Sequence, residues 1–141
     1  QAVDLNITSS MWLSTRIAKL DVENILIVNI SSLVAVEAFP TLSLYSAGKA
    51  ARDLFHAALA KEKIQTLNYA PGPLETDMTG ELRQAEGLDE ILKPYFAKTL
   101  VDPVDSATAL VELVLSGAFE SGQHVDYYDL CNNKKDGEES T

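Results

Sequence analysis

Two side chains that could move a proton stand four residues apart in the segment SLYSAGKAARDLF, residues 43–55. Tyr45 and Lys49 share one face if this segment is helical, so the ammonium can favour the ionised form of the phenol. A free phenol titrates near about 10, and lowering that pKa by two or three units requires roughly 3 to 4 kcal/mol. The pair therefore predicts a general acid, although such a pair taken alone is usually a solvated feature of a helix surface.

A hydroxyl group is predicted close to this pair. Ser31 and Ser32 follow the aliphatic run ILIVNI, residues 25–30, which has the pattern of a parallel strand covered on both faces. Open α/β sheets bind their ligands beyond the carboxyl ends of the strands, where these serines would lie. On its own, Ser32 would be interpreted as a turn or helix-cap residue.

The surrounding pattern predicts the elements that position these groups. Apolar spacing near three and four residues indicates a helix over 3–20, and a second helix is predicted over 45–60. IQTLNYA, residues 64–70, predicts a strand that the sequence PGP at 71–73 ends. Residues 75–99 predict short helical pieces such as DEILKPYFAK, and Asp102 and Gly117 bound a further helix that begins at Pro103. HVDYYDL predicts a last short strand.

This order predicts one α/β domain over residues 1–130, followed by a polar, disordered tail over 131–141. In the helix 45–60, the apolar residues Ala47, Ala50, Ala51, Leu54, Phe55 and Ala58 form the predicted core face, whereas Tyr45, Lys49, Arg52 and His56 lie opposite. His56 is about three turns along from Tyr45, and His124 is expected to be packed or exposed beside the last strand. Neither histidine is a catalytic candidate.

Composition limits the classes of partner. The chain has 141 residues, a formal charge of −10 and 46% hydrophobic residues, which favours one domain and a small-molecule partner over nucleic acid or an anionic membrane. Its single cysteine, Cys131, has no partner for a disulfide and no metal-ligand spacing. Neither a membrane span nor a secretory signal is recognised, so we expect a cytoplasmic protein without a metal site.

The sequence resembles the short-chain dehydrogenase/reductase family in the order of several motifs. Ser32 precedes Tyr45 by 13 residues, YSAGK opens the next helix, and LNITS and NYAPGPLETDM lie before and after them. The resemblance implies a Rossmann-like doubly wound parallel sheet that binds NADPH or NADP. It further implies that Tyr45 donates a proton to a substrate carbonyl, Ser32 binds that oxygen, Lys49 contacts the nicotinamide ribose and Asn6 holds a water.

A closer resemblance is to members of the family that reduce side-chain carbonyls of pterins in tetrahydrobiopterin biosynthesis. It rests on NISSL, LYSAGKAARD, LNYAPGPLETDM and SGQHVDYYD, and it implies that the Asp126 carboxylate binds the pterin ring. The resemblance assigns cofactor contacts to Tyr45, Lys49, Pro71, Gly72, Leu74, Thr76, Asp77 and Met78. It assigns substrate contacts to Ser32, Leu33, Tyr45, Gly72 and Asp126.

One half of the family pattern is not present in this sequence. The family ordinarily begins with a βαβ half that carries a glycine-rich TGxxxGxG turn for the pyrophosphate, so we expect a partial sequence, or a chain whose open sheet edge pairs with another subunit. Helices 3–20 and 45–60 correspond to those through which the family commonly dimerises. Three hypotheses remain open: a pterin carbonyl reductase, a reductase of another ketone, and a truncated, non-catalytic dimerisation module.

Overall fold

The computed structural model describes the backbone of residues 3–84 and 100–138. The chain begins with a π-helical segment, Asp4–Thr8, which continues into helix α1, Ser9–Ala18. The remaining elements follow in the order β1 (Leu26–Ile30), a 3₁₀ turn (Leu33–Ala35), α2 (Ser43–Lys61), β2 (Gln65–Ala70), α3 (Asp77–Gln84), α4 (Pro103–Ser116), β3 (His124–Asp126) and α5 (Tyr127–Glu138).

The three strands form one parallel sheet in the order β1-β2-β3. Ile30 pairs with Tyr69, and Ala70 pairs with Asp126, so all three strands end at the same edge. The predicted α/β fold with parallel strands and crossover helices is confirmed. Its consequence is that Ser32, the turn after Ala70 and Asp126 all lie along one carboxyl edge.

Strand β2 lies at the centre of the sheet and packs on both faces. Leu67 and Tyr69 join Leu113 and Val125 in the apolar core beneath α4 and α5. On the opposite face, the Thr66 hydroxyl donates to the carbonyl oxygen of His56 at 2.8 Å, which attaches β2 to α2. Because residues i and i+2 of a strand share a face, this alternation places one helical layer on each side of the sheet.

The predicted core face of α2 is wrong. Leu54 is 74% exposed, Ala47 and Ala58 are exposed as well, and the buried positions of the helix are Gly48, Asp53, His56 and Leu59. Burial of a polar side chain costs little free energy when that side chain has a hydrogen-bond partner. Asp53 and His56 each have one. The Tyr45 face of α2 is therefore turned toward the sheet.

The carboxyl-terminal elements of the structure agree in part with those predicted from the sequence. The Asp102 carboxylate accepts from the backbone N–H of Val104 at 2.7 Å, and Gly117 ends α4 with a φ of 66°, as predicted. The last strand comprises only His124–Asp126, because Asp126 accepts from the N–H of Tyr128 and begins α5 there. The backbone remains helical to Glu138, in contrast to the predicted disorder from residue 131.

Three sets of residues lie outside the described ranges: 1–2, 85–99 and 139–141. The predicted helical piece DEILKPYFAK, residues 89–98, belongs to the second of them. Across the described ranges, no helix combines the length and apolar character that crossing a bilayer requires.

Candidate active site

Ser32, Tyr45 and Lys49 come together where β1 ends and α2 begins. The N–H of Ser31 donates to the carbonyl of Tyr69 at 2.7 Å, which extends the β1–β2 pairing to the residue before Ser32. The Ser32 hydroxyl lies close enough to the Tyr45 phenol to lower its pKa, and the Lys49 Nζ lies 5.7 Å from the centroid of the Tyr45 ring. One hydroxyl, one phenol and one amine therefore share a site at the sheet edge.

The Lys49 ammonium is held by the end of β1. Its Nζ donates to the carbonyl oxygen of Ile30 at 2.8 Å and, more weakly, to that of Ser31 at 3.4 Å. Burial lowers the pKa of Lys49 to about 8, the positive charge of Arg52 acts in the same direction, and the Asp53 carboxylate opposes both. Since an ammonium has three N–H donors, one remains available beyond the two carbonyls.

The predicted net lowering of the Tyr45 pKa is wrong for this structure, because burial outweighs the groups that favour the phenolate. Burial raises the pKa of the phenol above its ordinary value, because a phenolate loses more solvation than a phenol when it is buried. The hydrogen bond from Ser32 and the positive charge of Arg52 partly offset this effect. The phenol is accordingly protonated at neutral pH, which is the form a proton donor needs.

Arg52 is the residue of this site that the sequence analysis did not select. Its Nε and Nη2 donate to the side-chain oxygen of Asn29 at 2.9 and 2.5 Å, and Nη2 also reaches the Ile30 carbonyl at 3.3 Å. The signal was present in the spacing, since Arg52 lies three residues after Lys49 and seven after Tyr45 on the same face. The sequence alone does not show what this second cation binds, because its acceptors lie on β1.

Asn6 lies beside the same site, in the middle of the π-helical segment. A cavity of about 330 Å³ separates this segment from the start of α2, and Asn6, Tyr45, Lys49 and Arg52 contribute to its wall. The cavity also has apolar walls from Val3, Ile7, Leu42 and Leu44. Because π-helical turns place side chains differently from an α-helix, they occur frequently at functional sites.

The PGP turn follows β2 at the same edge. Gly72 has a φ of 78°, which favours glycine, and a Cβ built there would lie 3.3 Å from Val101. The Ser106 hydroxyl of α4 donates to the carbonyl of Pro71 at 2.9 Å and fixes the turn. Farther on, Leu74 pairs with Val101 in a parallel bridge, so the chain after the turn is attached at two points.

The remaining predicted cofactor residues lie at or near the start of α3. The Thr76 and Thr79 hydroxyls are 3.2 Å apart, and Thr79 also donates to the carbonyl of Leu74 at 2.7 Å. Asp77 is exposed in the first turn of α3, and Met78 follows it in the backbone of that helix. These hydrogen bonds fix the shape of the turn between Leu74 and Thr79.

The predicted substrate residues lie at both ends of the edge. Leu33 follows Ser32 and begins the 3₁₀ turn, whereas Asp126 ends β3 two strands away, roughly 10 Å along the edge at the usual strand spacing. Burial raises the pKa of the Asp126 carboxyl, although the N–H of Tyr128 works against this. Its Oδ1 accepts from Tyr128, so the other oxygen is the one open to a ligand.

Below the site, a buried polar cluster joins the three strands to α2. Asp53 accepts from the Asn29 amide at 2.9 Å and from Nδ1 of His124 at 2.7 Å. Asn29 also donates to Asn68, and the Asn68 amide reaches the Asp53 backbone carbonyl at 3.2 Å. His124 is thus packed, as one of the two expectations had it, and the cluster connects β3 to the catalytic helix.

His56 has a structural place outside the catalytic groups. It is 1% exposed, its Nε2 lies 2.9 Å from the Ser14 hydroxyl, and its Nδ1 lies 2.7 Å from the carbonyl of Arg52. Burial lowers its pKa, and only the contact with the Arg52 carbonyl and the Asp53 charge oppose that change. It attaches α2 to α1.

Residues 1–87 match the family model of the short chain dehydrogenases. The sepiapterin reductase of Rattus norvegicus is 43% identical over 111 residues, which covers 74% of this chain and 42% of the relative. That of Bos taurus is 38% identical over 136 residues, 89% of this chain and 51% of the relative. Both findings confirm the resemblance that the motifs indicate.

A solved structure gives the same result for the fold. The KRED1-Pglu enzyme superposes with a TM-score of 0.63 at 26% identity, over 71% of this chain and 46% of that one. The chain spans about half the length of the curated relatives that it matches.

Proposed function

This chain belongs to the short-chain dehydrogenase family, and we propose from that membership that the protein is an NADPH-dependent carbonyl reductase of the sepiapterin reductase type. Residues 1–130 would form the carboxyl-terminal part of its Rossmann-like domain. The observation that carries the proposal is the convergence of Tyr45 and Lys49 on one cavity, with the Lys49 amine 5.7 Å from the Tyr45 ring and the Ser32 hydroxyl close enough to lower the pKa of the phenol.

The residues present fit the nicotinamide end of the cofactor. The third N–H of Lys49 and the Tyr45 hydroxyl are donors suited to ribose hydroxyl groups, and they border an open cavity. The backbone of Gly72 can approach a ligand closely because that residue has no side chain. The turn from Pro71 and the start of α3, with Leu74, Thr76, Asp77 and Met78, would complete this contact. When bound, the cofactor supplies a hydride to the carbonyl carbon.

The side chains of this site would manage the charge that develops on the carbonyl oxygen. Tyr45 is protonated at neutral pH and donates its proton to that oxygen as it becomes an alkoxide. Ser32 donates a hydrogen bond to the same oxygen and keeps it within reach of the phenol. Lys49 then favours the phenolate that remains, and Asn6, across the cavity, would hold the water through which the proton is restored.

The pterin substrate is supported by the names of the relatives and by the position of Asp126. A carboxylate accepts paired hydrogen bonds from neighbouring ring and amino N–H groups of a pterin. The roughly 10 Å between the ends of β1 and β3 accommodates a bicyclic ring whose side chain extends to Tyr45. Leu33 and Gly72 would border the ring, and the pathway served would be tetrahydrobiopterin biosynthesis in the cytoplasm.

We also propose that the protein forms a homodimer through α1 and α2. Both helices present large apolar side chains to solvent, among them Trp12 at 62%, Leu13 at 54% and Leu54 at 74% exposure. Large apolar side chains exposed on two helices favour a protein interface there. Analytical ultracentrifugation of the protein expressed from its full reading frame tests this assembly.

The decisive experiment measures NADPH oxidation with sepiapterin by that same full-length protein. Tyr45→Phe removes the proton donor, and we expect turnover to fall by about 10² to 10⁴. Thr108→Val is the control, since it deletes an exposed hydroxyl on α4 and should leave turnover unchanged. Full turnover by Tyr45→Phe would refute the mechanism.

Two further outcomes separate the alternatives. Asp126→Asn should raise the KM for sepiapterin; an unchanged KM favours a reductase of another ketone. Absence of NADPH binding by the folded full-length protein in a fluorescence titration favours the non-catalytic dimerisation module.

A further inference from the structure

We propose that Arg52 is a positioning residue of the carbonyl-reductase site: its guanidinium fixes the carboxyl end of β1 and thereby holds Ser32 and Lys49 in place against Tyr45. The inference rests on the proposed function for its catalytic consequence. Its structural part stands on the hydrogen bonds of the guanidinium alone.

Arg52 binds β1 at two successive residues. Two of its nitrogens converge on the side-chain oxygen of Asn29, at 2.9 and 2.5 Å, and one of them also reaches the Ile30 carbonyl at 3.3 Å. The same Ile30 carbonyl accepts from Lys49 at 2.8 Å. The last peptide of the strand is therefore held from α2 by two cations, one turn apart, immediately before the segment that carries Ser32.

The side-chain oxygen of Asn29 depends on Arg52 for its hydrogen bonds within the described structure. It is 3% exposed, and its amide nitrogen donates to Asp53 and Asn68. Its oxygen accepts only from Arg52 in the part of the chain that the structure describes. Removal of the guanidinium would leave a buried acceptor unpaired, and such an acceptor favours rearrangement of the strand end that carries it.

The shape of the side chain suits this contact better than a lysine would. A guanidinium is a planar fork with five donors, so it can hold Asn29 with two of them and still reach the Ile30 carbonyl. A lysine ammonium at the same position would carry its three donors on one nitrogen and lack the planar fork. Arg52→Lys should therefore keep the positive charge but lose part of the positioning.

The positive charge of Arg52 also acts on the pKa of two neighbouring residues of the site. It lowers the pKa of Lys49 in the same direction as burial, which has the larger effect. It also lowers the pKa of Tyr45, where burial has the larger and opposite effect. The other titratable groups near this face are Asp53 and His56 on α2, and His124 on β3, which pairs with Asp53. Strand β1 itself carries no titratable side chain.

The kinetic test uses Arg52→Met with Lys61→Met as its matched control, an exposed cation at the far end of α2. We expect Arg52→Met to lower kcat for sepiapterin about tenfold, or about 1.4 kcal/mol, with KM changed less than twofold. Arg52→Lys should lose about threefold, and Lys61→Met nothing. A purely structural role would lower the melting temperature and leave the kcat of the folded fraction unchanged, and that result would overturn the proposal.

A second measurement does not depend on turnover. The rate at which an amine-reactive ester acylates Lys49, followed by peptide mass spectrometry across pH, reports the protonation of that amine. The wild-type midpoint should lie near about 8 and move upward in Arg52→Met. If the midpoint moves in Arg52→Met and also in the charge-conserving Arg52→Lys, but the wild type does not reduce carbonyls, the proposed function fails and the positioning stands. If the wild type is active while both kcat and the midpoint are unchanged in Arg52→Met, the positioning fails.

If Arg52→Met does not fold, Arg52→Lys carries the test. Wild-type kcat in this variant would overturn the proposal, because a lysine lacks the second nitrogen with which the guanidinium holds Asn29.

Discussion

Replacement of Asp53 tests whether the buried cluster, rather than the apolar face of α2, holds the catalytic helix on the sheet. Asp53→Asn keeps the size of the side chain and removes its charge. The carboxylate accepts from Asn29 at 2.9 Å and from His124 at 2.7 Å, and Asp53 is 9% exposed. One of the two asparagine side-chain atoms is a donor, so if its oxygen keeps Asn29, His124 must accept at Nδ1 and carry its proton on the buried Nε2, which has no partner among the described residues.

The magnitude follows from these two contacts. A hydrogen bond to a charged group contributes about 1.5 to 3 kcal/mol, and an unpaired buried donor costs a further ~1 to 3 kcal/mol. Since both contacts lose the charge of the carboxylate and one buried donor is left unpaired, we expect the free energy of unfolding to fall by about 3 kcal/mol. Against a total of about 5 to 15 kcal/mol for a typical domain, this is a large and measurable change.

The assay is urea unfolding of the full-length protein, followed by circular dichroism, for the wild type, Asp53→Asn and the control Asp21→Asn. Asp21 is exposed in the loop after α1, so its variant should stay within about 0.5 kcal/mol of the wild type. A midpoint for Asp53→Asn that matches the control would refute the reasoning. It would mean that α2 is held by its apolar contacts, and that the burial of Asp53 is incidental.

Two other predictions concern the site itself. Because the pKa of Lys49 is lowered to about 8, its ammonium is present below that pH and is lost as the pH rises through it. Turnover should therefore fall above about pH 8 in a pH profile. A flat profile to pH 10 would contradict the role given to the ammonium. Ser106→Ala removes the hydroxyl that donates to the Pro71 carbonyl at 2.9 Å. It should lower the free energy of unfolding by about 1 to 2 kcal/mol in the same assay and raise the KM for NADPH. An unchanged KM would show that the turn keeps its shape without Ser106.

The strands, the main helices and the meeting of Ser32, Tyr45 and Lys49 were predictable because each depends on local pattern and on spacing along the chain. ILIVNI and IQTLNYA have strand composition, and Asp102 and Gly117 bound a helix by their own chemistry. The motif order then placed the serine, tyrosine and lysine at one sheet edge, and the described structure brings them together.

The buried face of α2 was not predictable from α2 alone. Hydrophobic periodicity selects alanine and leucine, but the helix buries Asp53 and His56, whose partners come from Asn29, His124 and Ser14 at distances of 24 to 71 residues along the chain. No single segment contains both halves of such a contact. The same holds for Arg52, whose acceptors lie 22 and 23 residues before it on β1.

The end of β3 shows a different kind of error. HVDYYDL has strand composition throughout, yet the Asp126 side chain accepts the N–H of Tyr128 and begins a helix at residue 127. Asp is a strong helix-capping residue, and here that local preference outweighs the β propensity of the two tyrosines.

The bridge between Leu74 and Val101 joins two parts of the chain that are distant in sequence. The N–H of Glu75 donates to the Val101 carbonyl, and the N–H of Val101 to the Pro73 carbonyl, both at 3.0 Å. The PGP turn is thereby tied to the residue just before α4, and a shift of α4 would be transmitted to Gly72 at the carboxyl edge of the sheet.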